Sequence, residues 1–93
     1  SGLSVRVLSI EDKRYYVHEL REDSPAYRSG IRQMDEIISI NKVPAVFWEL
    51  SDITELLRSE EGKVISMELQ RTKPDSIPET ILYKATFLLE KQL

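Results

Sequence analysis

The chain reads as a single small α+β domain: five to six mostly antiparallel strands forming a partly open barrel or sandwich, with one short and one longer helix. Three observations point there. Several segments alternate apolar and polar residues with period two, the pattern of strands with one buried face. The run Ser24-Pro25-Ala26-Tyr27-Arg28-Ser29-Gly30 carries the start and stop signals of a very short helix. One further stretch, near residue 55, repeats its apolar side chains at helical spacing.

Taken in chain order, residues 4–8 set Val5 and Val7 against Ser4 and Arg6, which predicts a first strand. Glu11, Asp12 and Lys13 form a polar turn, and residues 15–20 resume an aromatic and β-branched run that suits an antiparallel neighbour. Ser24 can accept a hydrogen bond from the first helical turn, Pro25 loses nothing at the first helical position, and Gly30 can adopt the left-handed conformation that ends the turn. Residues 36–40 are nearly all apolar and predict a central strand, with Asn41 and Lys42 as its turn. Pro44 and the aromatics Phe47 and Trp48 make 43–48 a packed loop that covers a core edge or docks the rest of the protein. Ser51 or Asp52 should cap a helix over 52–59, with Ile53 and Leu56 in the core. Val64, Ser66, Glu68 and Gln70 alternate with Ile65, Met67 and Leu69, so 63–71 is a strand. A loop over 72–80, with two prolines, leads to a last strand at 81–89.

Composition narrows the function. The 93 residues suffice for one core, so the whole chain, 1–93, is expected to be one domain excised from a longer protein. The formal net charge is −3 with acidic and basic residues interleaved, which argues against nucleic acid as a partner. Without cysteine and with one histidine, His18, neither a thiolate nor a two-imidazole metal site can be built. No apolar run approaches the roughly 20 residues of a membrane helix, and the opening residues do not read as a signal peptide. A catalytic reading has little to stand on. There is no Gly-x-Ser-x-Gly, and three glycines cannot form a phosphate-cradling loop. The adjacent acidic pairs Glu22-Asp23, Asp35-Glu36 and Glu60-Glu61 point in divergent directions instead of converging on one reacting atom. No cofactor is expected.

In order, Gly2-Leu3-Ser4-Val5, Val17 and Leu20, Ser24-Pro25-Ala26, Ser29-Gly30-Ile31, Asp35-Glu36-Ile37-Ile38-Ser39-Ile40-Asn41, Leu56-Leu57, Gly62 and the strand ending in Arg71 resemble a PDZ domain over nearly the whole chain. Three positions depart from the family pattern. Met34 stands where glycine commonly precedes the aspartate, Lys42 where glycine commonly follows the asparagine, and Ser29 where alanine is usual. A glycine-led loop at the start and an added strand at the end match the circular permutation of bacterial PDZ domains. Such domains are attached to envelope proteases of the serine, tail-processing and retropepsin-like aspartyl types. Ser1-Gly2-Leu3 and Tyr15-Tyr16-Val17 look most like the aspartyl group.

The resemblance implies a non-catalytic peptide-binding module, a substrate-recognition or regulatory domain of a bacterial protease, in the periplasm or cell envelope. A ligand's C-terminal carboxylate would lie against the backbone N–H groups of the loop Gly2, Leu3, Ser4 and Val5. The ligand would then add as a strand along 4–8, facing the 52–59 helix. Leu3, Val5, Leu57 and Leu50 are the candidates for the terminal apolar pocket, with Leu3 and Val5 equally readable as core. Val7, Thr54, Arg58, Tyr16 and His18 are within reach of upstream ligand residues, although each also reads as an ordinary surface position. Asp35 and Asn41 are assigned to turns. The expected partners are a peptide or protein C-terminus and a covalently linked protease domain, with no nucleic acid and no membrane insertion. The competing reading is an assembly domain whose groove is filled by its own chain or by a second copy.

Overall fold

A computed structural model describes residues 5–58, 62–73 and 79–89. Among the described residues there are six strands: β1 (Val5–Glu11), β2 (Arg14–Leu20), β3 (Glu36–Ile40), β4 (Val43–Pro44), β5 (Val64–Lys73) and β6 (Glu79–Leu88). Two helices accompany them, α1 (Pro25–Arg28) and α2 (Leu50–Leu57). The sheet runs β1-β2-β3-β5-β6, every pairing is antiparallel, and the short β4 lies along β3. α1 packs against β6 and α2 against β1. One buried apolar cluster fills the space between, with Val17, Ile31, Ile40, Ile53, Ile65 and Leu69 fully enclosed.

Local chemistry explains most of these elements. Ser24 Oγ accepts the Tyr27 N–H at 3.2 Å and its hydroxyl donates to Arg21 O at 2.6 Å, Pro25 opens the helix, and Gly30 closes it at φ +109°. β5 and β6 form an unbroken ladder from Val64↔Leu88 to Lys73↔Glu79, so the expected 72–80 loop is shorter than its prolines suggest, with residues 74–78 outside the described set. The inward stripe of β5 is Ile65, Met67 and Leu69, as the alternation requires.

Three boundaries differ from the sequence reading. β1 continues to Glu11, because the hairpin closes on the pair Glu11↔Arg14 and Lys13 takes the left-handed turn conformation at φ 63°. α2 spans Leu50–Leu57 in place of 52–59, and its N-cap is Glu49 in place of Ser51 or Asp52. Asp52 instead occupies the third helical position and accepts the Glu49 N–H at 3.2 Å, the reach-back half of a capping box. The 43–48 segment resolves into β4 and a 3-10 turn, Ala45–Phe47. Ala45 is buried and Trp48 packs against the core, whereas Phe47 covers nothing and is 74% exposed.

Met34 and Lys42, the two departures at glycine positions, both have φ 69°. Each therefore holds a side chain in a region that favours glycine, and both are exposed, which keeps the strain out of the core.

The stripe of β5 that carries Leu69 continues to Arg71, and there the apolar interior ends in an ionic knot. Asp35 is 1% exposed. Arg71 Nε donates to its Oδ1 at 2.8 Å and Nη2 to its Oδ2 at 2.7 Å, a bidentate pair, and Nη2 also donates to Gly30 O at 2.8 Å. The Arg32 N–H donates to Asp35 Oδ2 at 2.8 Å, and the Tyr83 hydroxyl donates to the same oxygen. Burial, then the carboxylate beside it, pushes the Tyr83 phenol well above its ordinary value. The Arg71 guanidinium, held first by its hydrogen bond to Asp35, is likewise raised. β3's leading turn, β5 and β6 are thus tied at one point.

Asp35→Asn keeps the shape of the side chain but strands Arg71 beside an uncharged partner. It should cost about 2–4 kcal/mol in urea unfolding at pH 7, the lower part of the usual range because Arg71 reaches solvent. Arg14→Ala, which breaks the more exposed bidentate pair with Glu36 (3.1 and 2.9 Å), should shift the urea midpoint far less than Asp35→Asn does in the same assay. Met34→Gly should raise the unfolding free energy by about 0.5–1 kcal/mol, since relief of the left-handed strain exceeds glycine's added chain entropy.

Candidate peptide-binding edge

The sheet ends in two strands, β1 and β6, and of the two β1 lies beside the longer helix, α2. β1 has β2 on one side and no strand on the other among the described residues, so its outer backbone groups are free to pair. α2 packs beside that edge and supplies a wall. The direction of the wall follows from two contacts at the hairpin. Lys13 Nζ donates to Trp48 O at 3.2 Å and pairs with the Glu49 carboxylate, and Tyr15 OH donates to Trp48 O at 2.5 Å. The tip of the β1–β2 hairpin is therefore pinned to the start of α2, and the rest of the helix packs back along β1. β1 and α2 run in opposite directions, and a strand added antiparallel to β1 would run with the helix. The Glu49 hydrogen bond raises the Lys13 ammonium above its usual value.

Of the carboxylate loop, Gly2, Leu3 and Ser4 lie outside the described residues, and Val5 is buried at 2% exposure. Val7 is half-buried on β1 and packs against the core. On α2, Leu50, Thr54 and Leu57 follow one another by four and three residues and so form one stripe. Leu50 is exposed, Thr54 half-buried and Leu57 buried at 2%. Ile53 and Leu57 are the buried pair of the helix, whereas Leu56, expected in the core, packs at its margin. Arg58, at the C-cap, is exposed.

His18 sits at a register shift in β2: Arg6 faces Glu19 and Val7 faces Val17, so His18 is the extra residue of a bulge. Its side chain is exposed, 3.8 Å from Glu19, which in turn lies 3.7 Å from Arg6. On the inner side of the bulge, Gln33 Nε2 donates to His18 O at 2.8 Å and the Met34 N–H to Val17 O at 2.7 Å. Tyr16, half-buried in the same strand, lies under the Arg14 guanidinium at 5.8 Å.

Three surface hollows, of about 430, 490 and 440 Å³, are lined by no residue of β1 or α2. They do not displace the edge as the candidate, because strand addition uses a shallow backbone ledge in place of a cavity. The hollow beside Arg14, Arg32 and Arg71 has its cations engaged already. Arg14 holds Glu36, Arg71 holds Asp35, and Arg32 donates to Tyr27 O and Ile31 O while stacking on the Tyr27 ring at 3.7 Å. No cluster of His, Cys, Asp and Glu suited to a metal ion occurs among the described residues. Nor is any of their helices long and apolar enough to cross a membrane.

Sequence reasoning left Phe47 open between a cover for the core and an exposed side chain, and its 74% exposure decides for the second. It missed Asp35 as the centre of a knot, for which it had no signal, since Asp35, Arg71 and Tyr83 are separated by 36 and 12 residues.

Comparison with curated proteins returns no match. Among solved structures the chain is similar to the PDZ domain of a carboxy-terminal protease from Vibrio cholerae, determined in complex with a peptide. The TM-score is 0.61 and the identity 18%, with 97% of this chain and 96% of that chain covered. The likeness is one of fold. The family profile described as PDZ domain matches residues 16–71, from β2 to Arg71, and with more than half the sequence inside that match the chain belongs to the PDZ domain family.

Proposed function

We propose that this domain binds an extended peptide, its free C-terminus foremost, by strand addition along the outer edge of β1 with α2 as the facing wall. The observation that carries this reading is the pairing of β1 with β2 alone while α2 stands antiparallel beside it. Backbone pairing would supply affinity independent of ligand sequence. The N–H groups of Leu3, Ser4 and Val5, opened by Gly2, would hold the ligand carboxylate as converging donors. The last ligand side chain would enter between Val5 and Leu57, and upstream side chains would meet Val7, Thr54, Leu50, Arg58 and His18. The peptide in the Vibrio cholerae structure supports the same use of the fold.

In this reading the domain is non-catalytic. Its place is as a substrate-recognition or regulatory module linked to a bacterial protease of the cell envelope or periplasm, where the retropepsin-like aspartyl type is the parent that its opening residues favour.

The test is a C-terminal peptide library measured beside the same peptides amidated. Free-acid peptides should bind at least about tenfold more tightly, the worth of a charge-assisted carboxylate contact. Equal, weak binding by both forms would exclude carboxylate capture.

A further inference from the structure

The sheet has a second free edge. β6 pairs with β5 along its whole length and has no strand on its other side among the described residues. The Leu89 N–H donates to Lys63 O at 2.9 Å and Leu89 O accepts the Gly62 N–H at 2.8 Å, so the backbone groups of residue 89 face the β5 side. By the alternation of an antiparallel ladder those of 87, 85 and 83 face β5 as well, and those of 82, 84, 86 and 88 face outward. The side chains divide the same way. Ala85 and Phe87 are buried, whereas Leu82, Lys84, Thr86 and Leu88 are exposed. Leu82 is 62% exposed and Leu88 54%, which leaves apolar surface on a strand whose backbone is also free to pair.

The order of these four residues is self-complementary. When two copies of β6 pair antiparallel about a twofold axis at Ala85, each Leu82 stands opposite the second copy's Leu88, and each Lys84 opposite the second copy's Thr86. The outward backbone groups then meet in hydrogen-bonded pairs. Ala85 faces its own copy in the pair of closest approach, about 4.5 Å between Cα atoms, which a small side chain suits. The neighbouring registers fit worse. An axis at residue 84 opposes two lysines, and an axis at residue 86 sets each Lys84 against a leucine. Lys84 is an edge lysine of the kind that discourages indiscriminate strand pairing, and here it selects one register. Leu88 is also the cross-strand partner of the exposed Val64, and the two line a hollow of about 440 Å³ together with Pro25 and Arg28 of α1. The same register brings the second copy's Leu82 to this hollow, twice per dimer.

We propose that the outer edge of β6 is a self-association surface whose partner is a second copy of this chain, paired antiparallel about Ala85. The matched stretch runs only from 82 to 88, short of a standard interface, so the dimer is weak, with a Kd on the order of 100 μM. The inference does not rest on the peptide-binding reading, because β1 lies at the opposite edge of the sheet and stays unpaired in this dimer.

The experiment is sedimentation equilibrium of the 93-residue chain without peptide, from about 5 μM to about 1 mM. The wild type should pass from monomer to dimer within that range. Two substitutions at Thr86 test the register, and neither meets a charge directly across its own sheet, where Ser66 is the partner. Thr86→Glu sets each new carboxylate against the second copy's Lys84 and should tighten the dimer about fivefold. Thr86→Lys opposes two lysines twice over and should weaken it at least about fivefold. Overall repulsion works the other way, since the chain carries a formal net charge of −3 that the glutamate increases and the lysine reduces. Both variants should keep the wild-type unfolding midpoint when dilute, because Thr86 is exposed. A wild type that stays monomeric at the highest concentration would overturn the proposal. So would equal effects of the two variants, or tighter association by Thr86→Lys, which reports net charge alone. Amide exchange that slows with concentration on β1, with residues 82, 84, 86 and 88 unaffected, would also overturn it by moving the contact to the other edge.

Discussion

The buried carboxylate of Asp35 is the constraint on which the architecture depends. It accepts from Arg71 on β5, from Tyr83 on β6 and from the Arg32 backbone ahead of β3, and through Arg71 it reaches the Gly30 carbonyl that ends α1. A charge at 1% exposure is tolerable only because each oxygen has donors, two of them on a cation. The consequence is geometric. β3 lies between β2 and β5, so fixing its leading turn to β5 and β6 fixes the sheet on one side of the core and leaves the other side, β1 and α2, joined mainly by side-chain packing and the Lys13–Glu49 clasp.

If ligand adds at β1 as proposed, that asymmetry separates stability from recognition. The ionic knot and the ten-rung β5–β6 ladder tie β3, β5 and β6, whereas β1 lies at the opposite edge of the sheet, beside α2. A ligand that pairs with β1 completes an edge without disturbing the knot. The bulge at His18 serves the same division, because it turns β2's inner backbone groups toward residues 33 and 34 and leaves its outer residues, His18 and Glu19, beside the edge strand.

The fold was legible in the sequence wherever local chemistry decides. Ser24, Pro25 and Gly30 act at the positions their types predict, and the alternation of 64–69 places Ile65, Met67 and Leu69 inside. Helix start and phase were less legible. A glutamate at the cap with an aspartate three residues on serves where Ser or Thr was expected, and a spacing of three or four from Ile53 fits Leu56 and Leu57 equally until β1 decides for Leu57. The Asp35 knot was not legible at all. It joins three residues from distant segments, and each alone reads as a turn acid, a strand-end base or a strand tyrosine. As for the site, the strand and helix that frame the β1 edge could be named from the sequence, but the clasp of Lys13 to Trp48 and Glu49 could not, because it joins residues 35 and 36 apart.

The central claim is that ligand enters the sheet at β1. Backbone amide exchange measured with and without a saturating valine-terminated decapeptide tests it most directly, since strand addition protects the outward amides of the receiving strand. Slower exchange within residues 5–11, with the amides of β6 unchanged, is the expected result. Protection that appears on β6, or in the hollow beside Arg14, with none on β1 would contradict it.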